Sequence, residues 1–247
     1  MSIAVQKRWV LRHEPDPMVV EGLTHDRCPE HIARLLAQRG IGSPAEASVF
    51  FRPSLDQMHD PFLMKDMQQA VERLERALGD RERIMIYGDY DVDGTTAVAL
   101  VHSFLLPFSA ELVFYIPDRY SEGYGISFAG IDKAKLEGVT LIIALDCGIK
   151  ANDKVDYASS LGIDMIICDH HRPGQVLPAA IAVLDPKRDD CPYPFKELSG
   201  CGIGFKLMQA FAMRNGMGVE ALIPLLDLVA VSTACDIVPV NGENRIL

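Results

Sequence analysis

The spacing of apolar residues near the N-terminus is helical. Residues 28–55 and 64–80 carry apolar side chains three or four positions apart, with a break in the first segment at Gly40–Pro44. Ser43 is a candidate N-cap residue, because Glu46 follows it by three positions as in a capping box. The pattern predicts two short helices and then a longer one.

Further along the chain, five short apolar runs alternate with segments at helical spacing. The runs are RIMIYGD, AELVFYIPD, TLIIALDCG, IDMIICDH and AIAVLDP, and helices are expected between them at about 94–106, 126–138 and 150–161. Two mainly apolar helices are expected in GCGIGFKLMQAFAMRNG and VEALIPLLDLVAVSTACD. Buried strands that alternate with helices predict an α/β fold with a parallel β-sheet flanked by helices. We therefore expect a helical N-terminal extension over 1–65 and an α/β domain over 66–247.

Acidic residues follow the predicted strands. Asp89, Asp146, Asp169 and Asp185 end four of the runs, and the fifth ends in Pro117-Asp118. Ligands of open α/β sheets bind outside the carboxyl ends of the strands. The sequence therefore predicts a functional site at this edge of the sheet.

The densest acidic cluster is YGDYDVDGTT, in which Asp89, Asp91 and Asp93 alternate with other residues and Gly94 follows. A single Asp here would indicate only a polar turn, but three neighbouring carboxylates repel one another and favour a cation. The run begins like an EF-hand loop, but its twelfth position is Leu100 and a strand precedes it. We exclude the EF-hand, and we interpret Asp91 and Asp93 as metal ligands and Asp89 as a further candidate.

Other candidate metal ligands are Asp146 in LDCG, His170 and His171 in CDHH, and Asp236 in TACD. Each of them alone could instead be a turn or helix-end residue. Adjacent histidines point in different directions, so one could bind a metal while the other faces a substrate. Carboxylates with one or two imidazoles suit Mn²⁺, or Mg²⁺ with more water, and the closely spaced thiolates of a structural zinc site are absent from the sequence. The set indicates two metal ions and hydrolysis of a phosphate ester.

Two other motifs are less specific. Arg119, in PDRYSEGYGIS after the second strand, is either a solvated loop residue or a phosphate contact, since guanidinium groups bind phosphate oxygens well. The segment SGCGIGFK has Phe205 where a dinucleotide-binding loop needs Gly and a P-loop needs Lys. Its glycines are expected to allow close backbone packing at the start of a helix.

The composition narrows the class of protein. The chain is 49% hydrophobic and 23% charged, as in ordinary globular proteins, and its net charge of -10 argues against a general polyanion binder. The sequence shows no signal-peptide pattern and no apolar run of membrane-spanning length. Six scattered cysteines without a C-x-x-C motif favour reduced thiols. We therefore expect a cytoplasmic protein that does not contact a membrane.

Taken in order, these motifs resemble those of the DHH phosphoesterase superfamily. Over about residues 20–247, the sequence around the motifs is similar to the sequences of the bacterial single-strand-specific 5′→3′ DNA exonucleases of repair and recombination. The resemblance implies two Mn²⁺ or Mg²⁺ ions, with one bridging carboxylate, that of Asp146. The implied ligands are Asp91, Asp93, Asp146, His170 and Asp236, and these five with His171 are the implied catalytic set.

The resemblance also assigns roles around the metal ions. It implies that His171 lies near the scissile phosphate, that Asp169 orients the histidines, and that Arg119 contacts a phosphate. Some members of the superfamily have a His four residues before the first motif Asp, where this chain has Tyr87. One ion is therefore expected to be held less completely, with Asp89 or water in place of the imidazole.

The family resemblance carries expectations about domains and partners. Related exonucleases continue into a second catalytic domain, DHHA1, and an OB-fold, so we expect this chain to be the N-terminal part of a longer enzyme, with low activity and weak DNA binding alone. Single-stranded DNA is the expected partner, and contacts with single-stranded-DNA-binding protein or a helicase are expected through the missing regions. Two alternatives stay open: a DHH phosphodiesterase acting on oligonucleotides or cyclic dinucleotides, and a non-catalytic replication scaffold.

Overall fold

The computed structural model describes residues 8–25, 28–108 and 111–247, and the chain divides into two compact units, Met1–Ser54 and Leu55–Leu247. The helices of the first unit are α1 (Pro17–His25), α2 (Glu30–Ala37) and α3 (Pro44–Phe51). The Ser43 side chain accepts a hydrogen bond from the backbone N–H of Glu46 at 3.2 Å. The predicted cap and the two helices beside it are confirmed, whereas α1 was not predicted.

The second unit contains a five-stranded parallel sheet with the order β2-β1-β3-β4-β5. Its strands are β1 (Arg83–Gly88), β2 (Leu112–Tyr115), β3 (Val139–Leu145), β4 (Asp164–Cys168) and β5 (Ala182–Leu184). Each coincides with one of the five predicted runs, although β3 begins one residue before its run, so the α/β fold class is confirmed. The direction of winding reverses between β1 and β3, which makes their carboxyl ends the topological switch point where ligands bind in such sheets.

Helices cover both faces of this sheet. The helices of the second unit are α4 (Met67–Gly79), α5 (Val92–Leu105), α6 (Phe128–Leu136), α7 (Asn152–Ser160), α8 (Gly200–Arg214), α9 (Leu226–Cys235) and α10 (Gly242–Ile246). Alternate β1 residues face opposite sides: Ile84 and Ile86 pack in a core with α4, α5 and α8, whereas Met85 and Tyr87 pack with α6 and α7. None of the helices in the described ranges is both long and apolar enough to cross a membrane.

The prediction of one continuous helix in VEALIPLLDLVAVSTACD was wrong. Residues 219–221 and 223–225 form 3₁₀ turns, and α9 begins only at Leu226. Pro224 explains the difference, because proline has no N–H to donate and its ring clashes with the preceding turn inside a helix. The shorter α9 ends at Cys235, which makes Asp236 its C-cap residue.

A buried ion pair joins α8 to α10. The Lys206 amine lies 2.7 Å from Glu243 Oε1, and both side chains are fully buried. Lys206 also donates to the carbonyl oxygen of His59, while Glu243 accepts hydrogen bonds from the His59 N–H and the Tyr193 hydroxyl. Burial lowers the pKa of Lys206, although the Glu243 carboxylate opposes that shift. Both charged groups therefore have partners, which is what makes their burial tolerable.

We predict that Lys206→Met lowers the free energy of unfolding by about 3–5 kcal/mol, because it leaves the Glu243 carboxylate buried without a cation. The measurement is urea denaturation. The control is Lys133→Met, which removes a half-exposed amine 3.9 Å from Glu137 and should cost about 1 kcal/mol or less. Similar losses in the two variants would contradict the structural role assigned to the buried pair.

Candidate metal centre

The predicted site residues converge at the switch point of the sheet. The acidic cluster follows β1, Asp146 follows β3, and the Asp169–His171 segment follows β4. Asp236 reaches the same place from the end of α9, although it is far away in sequence. The parallel sheet therefore brings three separate motifs together, and α9 adds the fourth.

His170 lies at the centre of this cluster. Its Nε2 atom is 3.2 Å from Asp146 Oδ1, 3.6 Å from Asp236 Oδ2 and 3.7 Å from Asp93 Oδ2. Among the described residues, neither ring nitrogen of His170 has a hydrogen-bond partner, and neither does Asp146 Oδ1. Buried polar atoms are normally paired, so these atoms point to a missing ligand.

Two overlapping groups of side chains could each hold a metal ion. Within each group, the candidate ligand atoms lie within 4.8 Å of one another. The groups are Asp93, His170 and Asp236, and Asp146, His170 and His171. Oxygen and imidazole ligands of this kind are suited to Mn²⁺ and Mg²⁺. Four of the five predicted metal ligands are therefore brought together.

Asp93 is anchored to the start of α8. Its carboxylate accepts backbone N–H hydrogen bonds from Gly200 and Cys201, both at 2.7 Å. The Ser232 hydroxyl, on α9, lies 2.6 Å from both Asp93 Oδ1 and the oxygen of Ser199, the N-cap residue of α8. This network connects α5, α8 and α9, and thus fixes the carboxylate of Asp93 relative to the helix that ends at Asp236.

Asp146 has an unusual backbone conformation and close neighbours. Its φ of 58° lies in the left-handed region, which is uncommon for residues other than glycine and recurs at functional sites. A Cβ atom on Gly200 would lie only 2.5 Å from the Cβ of Asp146. Burial, followed by the charge of Asp93, raises the pKa of Asp146. The ionised carboxylate is therefore costly here, and a bound cation would offset that cost.

His171 is oriented by Asp169. The Nδ1 atom of His171 lies 2.8 Å from Asp169 Oδ1, which also accepts the backbone N–H of His171 at 3.0 Å. The other oxygen of Asp169 accepts the N–H of Ile149, and the hydrogen bond to Asp169 raises the pKa of His171. The remaining ring nitrogen, Nε2, lies 3.2 Å from the Tyr124 hydroxyl. The His171 side chain is 44% exposed, so the ring is accessible from solvent.

The remaining two acids of the β1 cluster differ in environment. Asp91 is exposed, is the N-cap residue of α5, and accepts the N–H of Gly94 at 2.9 Å; it belongs to neither of the two groups described above. Asp89 is buried, and one of its oxygens accepts the N–H of Gly125 at 3.1 Å. The other oxygen has no partner among the described residues, and burial raises the pKa of Asp89. The metal roles of Asp91 and Asp89 stay predictions.

Tyr87 and Arg119 lie at the margins of the site. The Tyr87 ring packs on the α6–α7 side of the sheet, and its hydroxyl bonds to the loop at Gly125 and Ser127. Arg119 is exposed, with its guanidinium carbon 5.1 Å from the centroid of the Tyr90 ring. Its role as a phosphate contact stays a prediction.

Four more residues shape the site. Sequence reasoning gave Tyr124 and Ser232 no role, whereas Gly200 is one of the glycines expected to pack closely at a helix start, and Asp185 is one of the acids noted at the strand ends. The Tyr124 hydroxyl contacts His171, and the Ser232 hydroxyl contacts Asp93. Gly200 leaves room for Asp146 because it has no side chain. Asp185 is a buried acid; one of its oxygens has no hydrogen-bond partner among the described residues, and burial raises its pKa to about 7. Two signals were available in the sequence. One is the glycine cluster that contains Gly200, and the other is position, because Ser232 precedes Asp236 by one helical turn and Asp185 ends a strand.

Known proteins resemble this chain in both sequence and structure. The model of the DHH family, N-terminal domain, matches residues 83–233. The single-stranded-DNA-specific exonuclease RecJ of Bacillus subtilis is 41% identical over 99% of this chain, which spans 30% of that relative. A crystal structure of exonuclease RecJ bound to manganese is 33% identical, with a TM-score of 0.67 over 74% of this chain and 46% of that one. RecJ from Thermus thermophilus in complex with Mn²⁺ is 25% identical, with a TM-score of 0.78 over 95% of this chain and 33% of that one.

We predict that Gly200→Ala destabilises the metal-free protein by about 1–3 kcal/mol, because its Cβ overlaps Asp146 and the crowded backbone must shift. Gly202→Ala is the matched control on the same helix, since its Cβ would meet other atoms only at 3.4 Å or more. That variant should be neutral or stabilised by up to about 1 kcal/mol, because alanine favours helix. Urea unfolding with EDTA measures both, and equal stabilities would rule out the steric argument.

Proposed function

The chain belongs to the DHH family, and on that premise we propose that it forms the metal-binding part of a nuclease that hydrolyses phosphodiester bonds of single-stranded DNA from the 5′ end. The observation that carries this proposal is the set of buried ligand atoms around His170 that lie close together but have no hydrogen-bond partner among the described residues. Two divalent cations, Mn²⁺ or Mg²⁺, would be held by Asp91, Asp93, Asp146, His170 and Asp236.

The donor set fits such ions on chemical grounds. Asp93 keeps its carboxylate oriented through the amides of α8, and Asp146 and His170 present atoms without competing hydrogen bonds among the described residues. When bound, the cations would neutralise charge on the phosphate and assist the ionisation of the attacking water. A merely structural cluster of this size would pair its buried polar atoms internally.

The protein groups around the ions have distinct tasks. Asp169 holds His171 with Nε2 directed away from it, so that this nitrogen can donate a hydrogen bond to a phosphate oxygen when the ring is protonated. Arg119, exposed on the loop after β2, is the proposed contact for a terminal phosphate. One oxygen of Asp89 has no hydrogen-bond partner among the described residues. Through this oxygen, Asp89 is proposed either to bind an ion directly or to orient the residues that do.

The relatives support the choice of substrate. Those reported above are named single-stranded-DNA-specific exonucleases or RecJ, and this chain spans 30% to 40% of the length of the first curated relatives. Single-stranded DNA is therefore the proposed partner, while contacts with single-stranded-DNA-binding protein or a helicase and a cytoplasmic location stay predictions. The nearly complete ligand set argues against a non-catalytic scaffold.

We predict that Mn²⁺ raises the melting temperature of the chain, because binding to the folded state alone adds RT ln(1 + [L]/Kd), about 2.7 kcal/mol at a hundredfold excess over Kd. Differential scanning fluorimetry with and without EDTA measures this. Asp146→Ala and His170→Ala should lose most of the shift, whereas Lys133→Gln, outside the site, should keep it. A melting temperature independent of millimolar Mn²⁺ would refute the metal centre.

We predict a different result for His171→Ala in a longer chain that includes the regions found in the relatives. Hydrolysis of 5′-phosphorylated single strands should fall by about 10²-fold or more, since the loss of one positioned hydrogen-bond donor to the transition state costs about that much. Bound Mn²⁺, measured by elemental analysis, should stay close to its original amount. Asp146→Ala should lose both metal and activity, so equal metal loss in the two variants would show that His171 is a ligand rather than a substrate contact.

A further inference from the structure

The two ring nitrogens of His170 have different surroundings. Nε2 lies 3.2 Å from Asp146 Oδ1 and 3.7 Å from Asp93 Oδ2, two residues that come after β3 and β1. Because the sheet has the order β2-β1-β3-β4-β5 and His170 comes after β4, Nε2 is directed toward the middle of the sheet. The nitrogens of an imidazole point in diverging directions, so Nδ1 is directed away from these carboxylates. Nδ1 is buried and has no hydrogen-bond partner among the described residues.

Asp185 directly follows β5, the neighbour of β4 at the edge of the sheet. The two chain segments are still paired at this level, because the Asp169 N–H donates to the Leu184 carbonyl oxygen at 3.0 Å. The Asp185 side chain is fully buried: Oδ1 accepts the N–H of Lys187 at 2.7 Å, whereas Oδ2 has no hydrogen-bond partner among the described residues. Burial raises the pKa of Asp185, and the charge of Asp169 adds to this shift while that of His170 opposes it, as expected for neighbouring groups.

An imidazole nitrogen and a carboxylate oxygen, both without partners among the described residues, are thus buried at adjacent strand ends. Each is costly in that state, because a buried polar atom gives up its hydrogen bonds with water. Asp169, the other carboxylate at these strand ends, is already engaged, since its two oxygens accept hydrogen bonds from His171 and Ile149. The second oxygen of Asp185 is therefore the complementary acceptor for an N–H of the His170 ring.

We propose that Asp185 positions the metal ligand His170 by accepting a hydrogen bond from Nδ1–H through Oδ2. With the ring proton held on Nδ1, the lone pair of Nε2 is left for a divalent cation, and imidazoles that bind metal ions are usually oriented in this way. Such hydrogen bonds are often long in a ligand-free protein and tighten when the site is filled. The inference rests on the proposed function, because only a metal-binding His170 needs the lone pair of Nε2.

The first test compares the Mn²⁺ affinity of the 247-residue chain with that of Asp185→Leu by isothermal titration calorimetry. Leucine has the branching of aspartate but no acceptor, so the variant should bind Mn²⁺ about tenfold or more weakly, the usual cost of losing a group that orients a metal ligand. Asp185→Ala should give the same result if the leucine variant does not fold. The matched control is Asp164→Leu, which removes a carboxylate 2.6 Å from the buried Arg73 at the other end of β4. This control should lose stability but bind Mn²⁺ as the original chain does.

The second test follows the ring nitrogens of His170 by NMR in EDTA at mildly alkaline pH, so that metal binding contributes nothing. In the original chain and in Asp164→Leu, Nδ1 should carry a proton. In Asp185→Leu the proton should move to Nε2, where the oxygens of Asp146 and Asp93 can accept it. A purely structural role of Asp185 would lower the free energy of unfolding but would not move this proton.

Failure of this inference is distinguishable from failure of the proposed function. Equal Mn²⁺ affinity in Asp185→Leu and the original chain, or the same protonation of Nδ1 in both, would overturn the positioning role and leave the metal centre intact. Absence of Mn²⁺ binding by the original chain, with the proton still moving in Asp185→Leu, would refute the metal centre and support only the contact between Asp185 and His170.

Discussion

Asp93 accepts the backbone amide hydrogens of Gly200 and Cys201, and the rest of the site depends on this contact. Asp93 lies in the first turn of α5, directly after β1, whereas Gly200 begins α8 more than a hundred positions later. The contact therefore closes α8 against the edge of the sheet. Because Gly200 has no side chain, α8 can also approach Asp146, so that one short backbone segment positions carboxylates from two neighbouring strands.

Carboxylates gathered at one edge of a sheet repel one another, and burial strengthens the repulsion. The protein offsets this for some of them: hydrogen bonds from His171 and Ile149 hold the pKa of Asp169 low despite its burial. Asp146 and Asp89 each retain one oxygen without a hydrogen-bond partner among the described residues, and burial raises the pKa of both. The site thus contains carboxylates that the protein itself stabilises and others whose ionised form favours an external cation.

The strand ends could be predicted from sequence because the signal is local: an apolar run followed by an acid gives both the strand and the side chain at its carboxyl end. The contacts between distant segments could not be predicted. A backbone amide that donates to a carboxylate, such as the N–H of Gly200 to Asp93, can belong to any residue type and therefore gives no pattern in the sequence. For the same reason, the contacts of the Ser232 hydroxyl with Asp93 and of the Tyr124 hydroxyl with His171 could not be predicted. The error at α9 has a different cause. The apolar composition of the segment predicts one helix, but Pro224 excludes a continuous helix.

Tyr87 shows how a residue next to a motif can act on the site without facing it. Its ring is buried on the opposite side of the sheet, and its hydroxyl accepts the N–H of Ser127 and donates to the carbonyl of Gly125, both at 3.1 Å. The loop held in this way directs the Gly125 N–H to Asp89 and the Tyr124 hydroxyl to His171. The site is therefore shaped from both faces of the sheet, by α8 on one side and by the loop above Tyr87 on the other. A phenol at this position is consequently a support for the loop, and through that loop it helps to position Asp89 and His171.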